Sequence, residues 1–387
     1  MAQDRIGTLQ ASLPFYAWYA SSPHNARIGQ PGVMDLLFGN PHDMPIPAFV
    51  EAVRRHAEPQ DPSWYAYMFD HPAAIAVVAA DLSAHTGMAW RAKDIAMTTG
   101  GWGAIALALR MLTEPGDEVI YYDPPWFFYD ILVRGAEAVP VVLTLEAPRF
   151  SPDPAQLAAA ITPRTRAVLI NTPHNPSGRI LDAAELDGIA EVLRAASARF
   201  GRPIYLLSDE AYRLIVFDGR APSPAEHYEH TLVLYSYGKQ LLAPGQRIGY
   251  LAISPRIPDP EPLRAAATVT RFVNSFGFPG NVLQRALPDF AHLCIDLGAI
   301  ERRRDRLVAV LEEHGFEPTT PEGTFYIMAR SPDPNDEAFV ARMAADDLFI
   351  LPGTTVKMPG WFRISLTASD AMIEAAAERF ATLRVRT

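Results

Sequence analysis

A serine, a lysine and an arginine fall at fixed spacing in SYGKQLLAPGQRIGY, residues 236–250. Ser236 stands three residues before Lys239 and Arg247 eight after it, a hydroxyl and a guanidinium suited to an anion such as phosphate. The segment follows the apolar run TLVLY, and Gly238, Pro244, Gly245 and Gly249 let backbone approach a ligand closely. A lone lysine is ordinarily a solvated surface charge; its company is what points to a ligand here. Ser236 and Lys239 also satisfy the SxxK pattern of penicillin-recognising acyl enzymes. That reading fails on its other parts, because SDE at 208–210 precedes the pattern, where an SDN should follow it, and KTG occurs nowhere.

Three other loops carry polar groups at the ends of apolar runs. GGWGA, residues 100–104, lies between DIAMTT and a helical stretch, where backbone N–H groups and the helix dipole make an anion site. Gly101, Gly103 and Ala106 also fit GxGxxA, with Asp123 20 residues beyond Gly103, so a dinucleotide site is a rival. Against it, that fingerprint normally opens a doubly wound domain, and about a hundred residues precede it here. NTPHNPSG, residues 171–178, is a loop stiffened by two prolines, in which Asn175 can present an amide with donors and an acceptor. PIYLLSDEAY ends a strand with Asp209, Glu210 and Tyr212, and its acidic residues could equally cap the next helix.

The elements that must position these loops are legible as alternating runs. DIAMTT, EVIYYD, AVPVVLT, RAVLIN, PIYLLSDE, TLVLYSY and GYLAIS read as strands, and helical stretches separate many of them. The pattern predicts an α/β fold: a large domain, residues 46–280, whose mostly parallel sheet is flanked by helices and collects ligands at its carboxyl edge. A smaller α+β domain is expected over 281–387. Residues 1–45 contain no clear βα unit, and are expected to join the small domain or a partner subunit. In that segment Phe15, Tyr16, Trp18 and Tyr19 could line a pocket, but a core role is favoured.

Composition excludes several classes. The 387 residues are 49% hydrophobic and 20% charged, which suits a large buried core. A formal charge of −10 leaves no basic excess for nucleic acid or an anionic membrane. Cys294 is the sole cysteine, and no HExxH or close histidine pair appears, so neither a disulfide nor a metal site is expected. No apolar run approaches the ~20 residues of a membrane span, and MAQDRIGTLQ does not read as a secretion leader. A cytoplasmic location is therefore expected.

Together the four loops resemble the aspartate aminotransferase family of pyridoxal phosphate enzymes, fold type I, class I/II, from about Gly39 to Arg363. The carriers are NPxG at 175–178, the SDEAY strand end, and SxxK with an arginine eight residues on, followed by GY. The resemblance implies that Lys239 forms a Schiff base with the cofactor and that Asp209 pairs with its ring nitrogen. It also implies that Asn175 and Tyr212 contact the ring hydroxyl, and that Trp126 stacks on the ring. Ser236, Arg247 and the backbone of Gly101 and Trp102 would hold the phosphate; Trp102 stands where the family usually has Ser, Thr or Lys. Arg363 would grip the substrate carboxylate, with Gly39 and Asn175 beside it. Tyr65 or Tyr67 would reach a partner's site in a homodimer. The implied reaction moves an amino group from an amino acid to a 2-oxo acid. A lyase or cyclising enzyme on the same site is the alternative, with a nucleotide-dependent oxidoreductase or a ligand-sensing module as the alternatives of another class.

Overall fold

The computed structural model describes residues 2–273 and 279–383. A two-residue strand, β1 (Met34–Asp35), precedes seven strands that form one sheet: β2 (Ile95–Thr98), β3 (Glu118–Asp123), β4 (Val139–Thr144), β5 (Thr165–Asn171), β6 (Tyr205–Asp209), β7 (Thr231–Ser236) and β8 (Gly249–Ile253). Their order is β2-β8-β7-β6-β5-β3-β4, parallel throughout except for β8, which runs antiparallel to both its neighbours. GYLAIS thus differs from the other runs for a simple reason. Only a short helix, Tyr237–Gln240, and a turn separate β7 from β8, which is at the very bottom of what a parallel crossover requires.

Alternate residues of these strands feed two cores. Val119, Tyr121, Ala167, Leu169, Leu207 and Leu234 face one layer with the helices Gly100–Leu112 and Tyr129–Gly135. Ile120, Tyr122, Val168, Ile170 and Leu206 face the other, with Pro154–Ala160 and Ala183–Phe200. A period of two with both sets apolar is what a sheet covered on both faces demands. The helix Ala183–Phe200 shows how local sequence sets a boundary. Asp182 and Glu185 form a reciprocal capping box at its start, and Gly201 ends it in the left-handed conformation.

The C-terminal part contains β9 (Tyr326–Arg330), β10 (Leu348–Phe349), β11 (Leu351–Pro352) and β12 (Trp361–Ser365). Strands β11, β12 and β9 make an antiparallel sheet in that order, covered by Leu297–Glu313, Asp336–Ala345 and Asp370–Ala381. LFILP, which reads as one strand, is two, because β10 pairs instead with β1. The helix Asn281–Phe290 packs through Ala286, Leu287 and Phe290 on Pro47–Ala57 and Pro72–Thr86. By packing, that helix joins elements of the larger part.

The N-terminal segment folds as helices Ala2–Ala11, Pro14–Ser21 and His24–Arg27. Phe15 is buried in a cluster with Val33, Leu37, Phe349 and Trp361, while Tyr16 is exposed and Trp18 and Tyr19 are half-buried.

Candidate active site

The carboxyl ends of β5, β6 and β7 bring Asn171, Asp209 and Ser236 to one edge, with Asn171 directly opposite Asp209 in the parallel register. Apolar strands stop there because a polar side chain can be served by loop backbone. Asn171 Nδ2 donates to the Asp209 carbonyl at 2.8 Å, and Asn171 Oδ1 accepts from the Asn175 N–H at 2.8 Å. One cavity of about 220 Å³ opens above this edge. Its lining includes Gly101, Trp102, Trp126, Asn175, Asp209, Tyr212, Ser236, Lys239 and Arg247, residues scattered over 147 positions of sequence.

Asp209 is buried, and burial pushes its carboxyl pKa up. Tyr129 Oη, donating to Oδ2 at 2.6 Å, the Ala211 N–H at Oδ1 and the Lys239 ammonium pull it back toward ionisation. Lys239 lies on the short helix after β7, with Nζ 5.5 Å from the centre of the Tyr212 ring. Tyr212 is buried, which raises its phenol well above the ordinary value and keeps it a proton donor. Arg247 gives one bond, Nη1 to the Pro244 carbonyl at 2.8 Å, and no carboxylate among the described residues pairs with it. Its fork passes over Gly100 at the start of the helix Gly100–Leu112, so a guanidinium and free helix N–H groups share one end of the cavity.

Arg363 sits behind Asn175 and is 2% exposed. It donates from Nη1 to Asn175 Oδ1 at 3.0 Å and from Nη2 to the Leu37 carbonyl at 3.2 Å, and it lies 4.0 Å over the Tyr326 ring. Its Nε has no partner, and no described carboxylate meets it, so a structural ion pair does not explain this buried cation. Gly39 packs close against Phe325 and Tyr326, the latter being the ring that Arg363 overlies. A Cβ there would stand 2.5 Å from Phe325 Cε2 and 2.7 Å from Tyr326 Oη.

Tyr65 and Tyr67 are exposed and do not line this chain's cavity. Asp123 is also outside it, which leaves GGWGA without the acidic partner of a dinucleotide site. Asn171, Ile105, Phe128 and Ala211 line the cavity without having been singled out in the sequence, and Tyr129 touches Asp209. A signal existed for Asn171, the polar end of an apolar strand like Asp209; Tyr129 sits among adjacent aromatics with nothing to mark it. No described group of His, Cys, Asp and Glu side chains could hold a metal ion, and no described helix is long and apolar enough to cross a membrane.

The profile of the family described as aminotransferase class I and II matches residues 31–380, nearly the whole chain. The chain belongs to that family. Among similar proteins, an aspartate/prephenate aminotransferase of Thermus thermophilus is 32% identical over 89% of this chain and 89% of its own length. An aspartate aminotransferase of Rhizobium meliloti is 31% identical over 92% of this chain and 89% of that protein. The crystal structure of an aminotransferase from Eubacterium rectale superposes with a TM-score of 0.88 at 27% identity, covering 95% of this chain and 94% of that one. As an aminotransferase, the chain transfers an amino group between an amino acid and a 2-oxo acid.

Proposed function

We propose that this aminotransferase works with pyridoxal 5'-phosphate anchored on Lys239. The observation that carries the reading is a single cavity holding an amine, a buried carboxylate and a guanidinium with no carboxylate partner among the described residues. The donor set fits the cofactor. Arg247, Ser236 and the backbone of Gly101 and Trp102 would hold its phosphate, Asp209 its ring nitrogen, Asn175 and Tyr212 its ring oxygen, and Trp126 its face. When bound, the cofactor supplies an electron-withdrawing ring that makes the substrate Cα proton acidic.

The chain's own residues would do the rest. Asp209, whose charged form is favoured by the bonds from Tyr129 and the Ala211 N–H, would provide a fixed negative charge opposite the ring nitrogen. The Lys239 amine takes and returns the Cα proton as general base and acid. Arg363, with Asn175 and Gly39 beside it, would fix the substrate carboxylate and hence the direction of the Cα–H bond.

The reading extends to a homodimer in which Tyr65 or Tyr67 enters the partner's cavity, to a cytoplasmic location, and to a small domain that follows the large one and packs with residues 1–45.

The test is borohydride reduction of the protein with its cofactor, followed by peptide mapping. The adduct is expected on Lys239, and Lys239→Ala is expected to lose at least about a thousandfold in turnover. The chain has two other lysines, Lys93 and Lys357, and an adduct on either would overturn the assignment.

A further inference from the structure

We infer that the amino donor carries a flat apolar side chain of about phenyl size, selected by an aromatic wall of the cavity formed by Trp102 and Phe128. The inference rests on the reading of the cavity just given and goes past it to the substrate.

The argument begins with what that reading leaves over. Of the polar lining groups, Asn171 is spent on Asp209 and Asn175. The others are assigned to the cofactor. The remaining lining is Trp102, Phe128, Ile105 and Ala211, all apolar. Lys239 and Arg247 are the only cations among the described lining residues, and Arg363, behind Asn175, is assigned by that reading to the α-carboxylate. A second carboxylate on the substrate would lose its water against this wall and gain no cation from it.

The wall is built rather than incidental. The Phe128 and Trp102 rings lie 4.2 Å apart, and Trp126 closes the group at 5.1 Å from Phe128 and 5.2 Å from Trp102. Phe127, next in line, meets Phe128 edge-on at 4.7 Å. Phe15, from the helix Pro14–Ser21, stacks on Phe127 at 4.3 Å with planes 14° apart. Phe15 is itself 8% exposed, whereas Trp102 at the mouth is 39% exposed. An uncovered indole beside tilted and edge-on rings offers the geometry in which a further ring packs well. The helix Pro14–Ser21 thereby supports specificity from a second layer.

The experiment uses the holoenzyme and two probes that lack an amine, 3-phenylpropionate and maleate, with affinities from calorimetry. Phenylpropionate is expected to bind at least about tenfold more tightly than maleate. Phe128→Ser is expected to narrow that ratio about tenfold, with a parallel fall in kcat/KM for phenylalanine relative to alanine. Phe15→Ala is expected to narrow it about threefold, by loosening the layer behind. Phe128→Leu, which keeps apolar bulk but not a flat ring, is the second variant should the serine variant fail to fold, and is expected to fall between. Tighter binding of maleate, or a ratio that neither Phe128 variant moves, would overturn the inference while the Lys239 adduct still stood. Loss of that adduct in the wild type would instead bring down the reading beneath it.

Discussion

At the scale of the residue, Asp209 is a carboxylate held where burial opposes its charge. Its folded pKa lies above the ordinary 3.8, so the cost of ionising it grows as pH rises above that value. In the cofactor-free chain, Asp209→Asn is therefore expected to melt at or above the wild type at pH 7, with the gap closing toward pH 4. The holoenzyme of the same variant should lose about a hundredfold or more in turnover, because an amide supplies no charge. A cofactor-free variant that melts well below wild type at pH 7 would make Asp209 a structural cap. Arg363 is the second case. Lysine keeps its charge but cannot reach both Asn175 Oδ1 and the Leu37 carbonyl. Arg363→Lys is expected to cut kcat/KM for amino acids at least about tenfold more than for simple amines. It should also cost about 1–3 kcal/mol of stability, read from denaturant unfolding.

At the scale of the element, the site depends on loops being tied to each other across the sheet edge. His174 links two of them, with Nε2 3.0 Å from the Pro124 carbonyl and Nδ1 2.6 Å from Ser177 Oγ. Because a carbonyl only accepts, Nε2 carries the proton and Ser177 donates to Nδ1. Burial pushes the His174 pKa down to about 4 from 6.5. The stability it contributes is thus present above pH 6.5 and is lost as pH falls toward 4. His174→Ala is expected to be less stable than wild type at pH 7. The gap should shrink by on the order of 3 kcal/mol by pH 4, measured by melting across that range. A gap that stays constant would mean that His174 is not held neutral. The loop's turn chemistry was legible from its prolines and glycine. The histidine clamp was not, since Pro124 is 50 residues away and the bond goes to backbone. Likewise Gly249 reads as one glycine of several, yet a Cβ there would stand 2.2 Å from the Tyr235 carbonyl and 2.8 Å from the Gly100 carbonyl carbon.

At the scale of the whole molecule, several large apolar side chains face outward. Met44 and Tyr67 are more than nine-tenths exposed, and Tyr65, Val269, Phe272 and Val273 are also exposed. Arg271, on the helix carrying Phe272 and Val273, is bound through both Nη atoms to Asp70, which ties that helix to the segment carrying the two tyrosines. Exposed apolar surface on this scale fits burial against a second copy. Sedimentation is expected to give twice the 42.6 kDa of the chain, and Phe272→Asp with Val273→Asp is expected to shift it toward the monomer. A wild-type monomer at micromolar concentration would contradict the homodimer and the partner role of Tyr65 or Tyr67.

What the sequence determined by itself was local. Alternating apolar runs and their turn residues specified the strands, and polar residues at strand ends or in the loop just beyond pointed to Asn175, Asp209, Ser236 and Lys239, because propensity, capping and strand ends depend on near neighbours. The tertiary structure decided everything that depends on distant chain meeting. It turned β8 antiparallel, split LFILP between two sheets, and placed Tyr129 on Asp209 across 80 residues. It also set Arg363 against Asn175 and Leu37, and stacked Phe15 on Phe127. Bonds to backbone and contacts between rings carry little trace in residue type or spacing, so only the folded chain could show which of many aromatics and arginines belong to the site.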